Sequence, residues 1–209
     1  MCKSCWKFLG KREPPASFGE NRVAPEAITG QRYGIILICI LDDMYKEILT
    51  EEQLRLLPIV KLFSKDFGLV GGTAVALQIG HRRSIDFDLF SHKPFDNLRI
   101  KRKILARQGI DKVYVNKKGE FTFLIHDVKF TFFHYPFAIE YTETLDSFVR
   151  LPDLLTLAAM KAYALGQRAK WKDYVDLFFI IREYHGIQAI VDRAKSIFGG
   201  EFNTKLFRA

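Results

Sequence analysis

Two carboxylates one residue apart, Asp86 and Asp88 in the run Ser84-Ile85-Asp86-Phe87-Asp88-Leu89-Phe90, are the strongest chemical signal in this chain. Ile85, Phe87 and Leu89 alternate with the aspartates, which predicts a half-buried strand carrying both carboxylates on one face. Residues i and i+2 of a strand lie about 7 Å apart, close enough to share a hard divalent cation. Twelve residues separate Gly71-Gly72-Thr73 from this Asp-Phe-Asp run. The paired glycines leave backbone N–H groups accessible, and a helix predicted over Thr73–Ile79 adds its positive end, which together favour a phosphate chain. A phosphate cradle followed by a two-carboxylate metal platform is what nucleotidyl transfer needs. One part holds the triphosphate, and the other neutralises charge and activates the attacking hydroxyl. Taken singly, Gly71-Gly72 reads as a plain turn, and the two aspartates read as readily as a solvated strand face. Their order along the chain is what points to function.

Further candidates lie downstream. Lys161 sits in the apolar segment Leu157-Ala-Ala-Met-Lys-Ala-Tyr-Ala-Leu165, where an ammonium must reach an anion or snorkel to the surface. Asp173 and Asp176, at i and i+3, share one helix edge; Asp176 reads equally as an acid favouring the helix dipole. Arg168 lies seven residues from Lys161 and could add a phosphate contact or simply be a surface residue. Arg82 and Arg83 could grip phosphates beside the metal platform or be solvated loop residues. Between Asp96 and Lys118 the net charge is +6, most of the chain's +8, which suggests a track for an RNA backbone beside the triphosphate site. A solvated helix face is the competing reading of that segment. His81, His92, His126, His134 and His185 show no ligand spacing and read as structural or exposed, and Cys2 and Cys5 form only half a zinc motif.

The elements that must position these groups can be read from periodicity. Thr50 with Gln53 has capping-box spacing and opens a helix through Leu56, Ile59, Val60 and Phe63 that Pro58 should kink or split. Phe67–Val70 is a short apolar run before the Gly71-Gly72 turn. Residues 112–134 read as a three-strand meander with turns at Lys118-Gly119 and His126-Asp127. Past Pro136 the pattern turns helical. Three helices are predicted: one after Pro152, one over 171–184 with an apolar stripe of Tyr174, Leu177, Phe178 and Ile181, and one from Gly186 to Gly199-Gly200.

Composition narrows the class. The chain has 209 residues, 48% apolar and 27% charged, as expected of a globular protein able to bury its own core. Its longest apolar run, Ile35–Leu41, is far shorter than the ~20 residues of a membrane span, so no membrane partner is expected. Three cysteines fit no disulfide framework, which makes a reducing cytoplasm the expected setting. Residues 1–43 hold Gly, Pro, Ser and scattered charges without a sustained period; they are read as a poorly ordered extension, and Met44 as a possible native start.

The blocks GGTAVALQIGHRRSIDFDLF and LTLAAMKAYALGQRAKWKDYVDLFFI resemble the AbiEii/AbiGii-type toxins of the nucleotidyltransferase superfamily, over about Met44 to Tyr184. The resemblance implies an α+β fold: a minimal nucleotidyltransferase mixed β-sheet with flanking helices over 44–140, then a C-terminal helical bundle over 141–209. It implies transfer of a nucleoside monophosphate from an NTP to an RNA (tRNA) or protein acceptor, with Mg2+ or Mn2+ as cofactor. A role as toxin of a type IV-like toxin–antitoxin or phage-defence system, neutralised by a cognate antitoxin, goes with it. Gly71, Gly72 and Thr73 match the phosphate-gripping motif, Asp86 and Asp88 the metal carboxylates, Lys161 the helical lysine, and Lys172, Asp173 and Asp176 the basic-Asp-x-x-Asp element. Lys161 is then expected to stabilise charge on the leaving group, and Asp173 to position or deprotonate the acceptor. There is one departure. Thr131 stands where polymerase-like relatives place a third carboxylate, so Asp173 substitutes for it, or the chain is a catalytically silent nucleotide-sensing or partner-binding module.

Overall fold

A five-stranded mixed sheet in the order β1-β2-β5-β4-β3 carries the site, in a computed structural model that describes residues 44–168 and 170–208. The expectations placed on 1–43, including Cys2, Cys5 and the Met44 start, lie outside the described residues. β1 (Gly68–Val70) and β2 (Phe87–Ser91) are antiparallel, and β2 and β5 (Val128–His134) are parallel. β4 (Glu120–Ile125) and β3 (Lys112–Lys117) complete the antiparallel meander with β5, turning at Gly119 and at His126-Asp127, all with positive φ.

One face of this sheet is a dry aromatic layer. Alternation sends Phe87, Leu89, Phe121, Phe123, Phe130 and Phe132 to one side, all buried, with Phe123 and Phe130 stacked at 5.4 Å between ring centroids. The helix α1 (Glu51–Lys61) precedes Phe63, whose ring meets Phe132 edge-on at 4.8 Å. α1 opens on the predicted capping box. Pro58 does not split it: the helix runs on to Lys61, Pro58 is exposed, and the carbonyl left without its helical N–H can turn to water. α3 (Asn97–Leu105) buries Ile100 and Ile104 and sets Lys103 over the Phe63 ring, on this same aromatic side. The basic helix therefore does not border Asp86 and Asp88 as expected, because its two buried isoleucines anchor it to the apolar layer while its cations face water.

The opposite face carries the polar residues and the helical half. α2 (Gly71–Ile79) follows β1 directly, so Gly71-Gly72 form its first turn instead of a separate one. Past Pro136 the chain is not helical at once: β6 (Glu143–Leu145) and β7 (Val149–Leu151) form a hairpin, with β7 beside β1. Segments this short, ETL and VRL, carry too few residues for alternation to register. Then come α4 (Leu154–Leu165), capped by Asp153, α5 (Trp171–Glu183) and α6 (Ile187–Phe198). α4 packs against α5, α6 and α2. Among the described residues no helix is long and apolar enough to cross a membrane.

Candidate active site

The site is built where α2, the loop after it, the neighbouring strands β2 and β5, and helices α4 and α5 converge. Gly71 has φ +73°, and a Cβ there would lie 2.3 Å from Asp88 Oδ2, so only glycine lets the first turn of α2 approach that carboxylate. A Cβ on Gly72 would lie 2.5 Å from Arg82 Nη2. The α2 N-terminus is thereby held directly against the Asp-x-Asp strand. Thr73 is buried, and its hydroxyl donates to the Asp86 carbonyl and lies 3.0 Å from Ser84 Oγ. In this structure Thr73 anchors the loop that delivers Asp86. Gln53 from α1 holds the same loop, its Nε2 donating to the Ser84 carbonyl at 3.0 Å.

Asp88 lies in β2, flanked by Val70 on β1 and Thr131 on β5, and Asp86 lies just before the strand. Asp88 is half-buried, and its pKa is raised. Burial is the main cause and the neighbouring Asp86 charge the second, against opposing pulls from Lys129, Lys161 and Arg168. A desolvated carboxylate beside another carboxylate is stabilised as an anion by a cation placed between them. Asp86 already has one: Lys129 Nζ donates to its Oδ2 at 2.7 Å. The donor set, two carboxylates beside the N-terminal turn of α2, fits a hard cation that would complete its coordination with oxygens from outside the chain. Among the described residues there is no group of three or more His, Cys, Asp or Glu able to hold a metal alone.

Behind this platform lies a buried charge cluster centred on α5. Lys161 Nζ donates to Asp173 Oδ1 at 2.6 Å and lies 2.8 Å from Asp176 Oδ2, all three residues being buried. Arg82 clasps Asp176 with two bonds, Nε to Oδ1 at 2.7 Å and Nη2 to Oδ2 at 2.9 Å. His81 Nε2 donates to Asp176 Oδ1 at 2.6 Å. Burial alone would raise the Asp176 pKa, but the hydrogen bonds from His81 and Arg82 and the Lys161 ammonium hold it well below the usual carboxylate range. Asp173 differs. Its Oδ2 is buried with no hydrogen-bond partner, and Arg168 Nε stands 3.8 Å away on an exposed side chain.

Each predicted residue thus has a place. Gly71, Gly72, Asp86 and Asp88 meet at one strand end, and Lys161 and Asp173 meet in the adjoining cluster. Arg82 is turned to Asp176, Arg83 is exposed, and Arg168 borders Asp173. Two members escaped sequence reasoning, Lys129 and the hub role of Asp176. Alternation in β5 does put Lys129 and Thr131 on one face; that this face is also the aspartates' depends on β2 and β5 being neighbours. The predicted apolar stripe of α5 is overturned. Only its Leu177 is buried, while Tyr174, Phe178 and Ile181 are exposed and Asp173, Asp176 and Ile180 take the inner face.

The family model described as "Nucleotidyl transferase AbiEii toxin, Type IV TA system" matches residues 59–200. An uncharacterized protein of Aquifex aeolicus (strain VF5), aq_aa25, is 36% identical over 141 residues, which is 64% of this chain and 67% of that protein. Among solved structures, JHP933 from Helicobacter pylori is 23% identical with a TM-score of 0.50, over 71% of this chain and 75% of that one. The antibiotic-resistance factor ANT(2'')-Ia is 13% identical with a TM-score of 0.51, over 69% of this chain and 90% of that one. At these identities the two structures show a shared fold.

Proposed function

Because this chain belongs to the AbiEii nucleotidyltransferase toxin family, we propose that it moves a nucleoside monophosphate from an NTP to an RNA acceptor, tRNA foremost, in a metal-dependent reaction. The observation that carries this reading is the close approach of Gly71 to Asp88, which sets the N-terminal turn of α2 against a carboxylate desolvated by burial and neighboured by a second, Asp86. Asp86 and Asp88 would hold Mg2+ or Mn2+, which supplies charge neutralisation on the triphosphate and a lowered pKa at the acceptor hydroxyl. The Gly71 and Gly72 N–H groups bind phosphate oxygens at the start of α2. Asp173 Oδ2 is the free acceptor in the cluster and takes the proton of the acceptor hydroxyl or orients it. Lys161 fixes Asp173 through one bond and has donor capacity left for the departing pyrophosphate. The acceptor oxygen bonds to the α-phosphorus as the bond to pyrophosphate breaks.

RNA is favoured over a protein acceptor by charge. Arg168, Lys170 and Lys172 are exposed around the start of α5, next to Asp173, in a chain of net charge +8. A toxin role with a cognate antitoxin, in a toxin–antitoxin or phage-defence setting, extends the family membership to biology. The test incubates the full chain with each labelled NTP, Mg2+ and total tRNA. Label enters RNA with wild type and is lost in Asp88→Ala; equal transfer by that variant, or none by wild type, overturns the reading. Expression should arrest growth, and Asp86→Ala should relieve it.

A further inference from the structure

The ion pair between Lys129 and Asp86 has no evident use as a stability device. Its side chains are 40% and 32% exposed, and partly solvated pairs of this kind contribute little to folding. Its position is what distinguishes it. The parallel register of β2 with β5 puts Phe87 beside Phe130 and Asp88 beside Thr131, so Lys129 and Thr131 are the two polar residues, ahead of Phe133, on the aspartate face of β5. Thr122 continues the row on β4, opposite Thr131, and its buried hydroxyl oxygen has no hydrogen-bond partner. The platform before the triphosphate turn therefore holds two carboxylates and one ammonium, with hydroxyls at the next two places in the row.

A platform for two divalent cations needs several anionic oxygens, commonly from bridging carboxylates, to offset four positive charges. Here Lys129 already cancels one of the two carboxylate charges, and neither Thr131 nor Thr122 supplies another. We propose that Lys129 is a tethered cation in the place of a second metal ion, so that the site takes a single divalent cation together with the triphosphate. This rests on the reading of Asp86 and Asp88 as the metal seat. Lys129 is then a positioning residue. It holds Asp86 in the free protein, competes with metal there, and leaves Asp88 as the carboxylate open to the incoming ion.

The test counts Mn2+ bound to the full chain by equilibrium dialysis and electron paramagnetic resonance, with and without a saturating non-hydrolysable triphosphate analogue. Wild type should bind one Mn2+ per bound analogue, and Lys129→Met/Thr131→Asp should bind two. Without analogue, Lys129→Met alone should tighten Mn2+ binding by on the order of ten- to a thousandfold, because one unit charge a few ångströms away changes proton affinity by about that much. Lys129→Arg keeps the charge and should behave as wild type, which guards against a folding artefact. Two Mn2+ per analogue in wild type, or unchanged Mn2+ affinity in a folded Lys129→Met, overturns the inference while leaving the metal seat intact. Mn2+ and analogue binding unaffected by Asp88→Ala would instead remove the metal seat itself, and with it the inference.

Discussion

Asp176 is the group on which the cluster's stability should turn. Its side chain is fully buried, and it accepts from His81 and twice from Arg82, with Lys161 Nζ 2.8 Å away. Asp176→Asn keeps the volume but replaces one acceptor oxygen with an NH2 that faces donors, leaving buried cationic groups short of an anion. Breaking a buried charged pair by removing one partner costs about 3–5 kcal/mol. For a chain of this length each kcal/mol moves Tm by about 2–4 °C, so the melt should fall by roughly 6–20 °C at pH 7. The pH dependence has a fixed sign. The folded pKa of Asp176 is lowered, so its contribution is fully present above the unfolded carboxylate pKa of about 4 and is lost as pH falls through the folded value. The Tm gap between wild type and Asp176→Asn should thus narrow as pH falls below about 4. Calorimetry of both proteins across that range is the assay. A Tm change under about 3 °C at pH 7, or a gap that grows as pH falls below about 4, would refute the assignment of Asp176 as a charged hub.

Three further substitutions separate the site from its scaffold. Gly71→Ala puts a Cβ 2.3 Å from Asp88 Oδ2 at φ +73°, so labelled-nucleotide transfer should fall about a hundredfold, as for an ångström-scale misplacement of reacting groups; Tm should fall only a few degrees. Gly68→Ala drives a methyl to within 2.0 Å of the Tyr141 ring, whose hydroxyl donates to the Phe90 carbonyl at 3.0 Å. It should cost about 1–3 kcal/mol by overpacking, against about 0.5–1.5 kcal/mol for Tyr141→Phe, both read from thermal or urea melts.

Much of the scaffold was legible because it is written in short-range patterns. The Thr50–Gln53 capping box, the meander with its turns at Gly119 and at His126-Asp127, and the Gly186 and Gly199 limits of α6 each depend on residues within a few positions of one another. The β6–β7 hairpin was missed because three-residue strands carry almost no periodic signal. The location of the basic helix was missed for another reason: Ile100 and Ile104 say that α3 has a buried face, and only the tertiary fold says that this face meets the aromatic side of the sheet.

The orientation of α5 shows why a site is harder to read than a fold. By hydropathy the inner face of WKDYVDLFFIIRE should hold Tyr174, Leu177, Phe178 and Ile181, yet Tyr174 and Phe178 are 55% and 56% exposed while Asp173 and Asp176 are buried. The deciding groups lie on other elements. Lys161 comes from α4, and His81 and Arg82 from the loop after α2, all buried or nearly so. Without anions facing them these groups would be desolvated and unpaired, at several kcal/mol per charge. Exposing a few aromatic rings costs less, about 1.5–3 kcal/mol for a whole side chain. The charges win, and α5 turns its acidic edge inward. A motif that looks amphipathic the wrong way round is therefore itself a sign of a site: here buried cations from elsewhere in the chain make the helix bury its aspartates and leave aromatic residues in water.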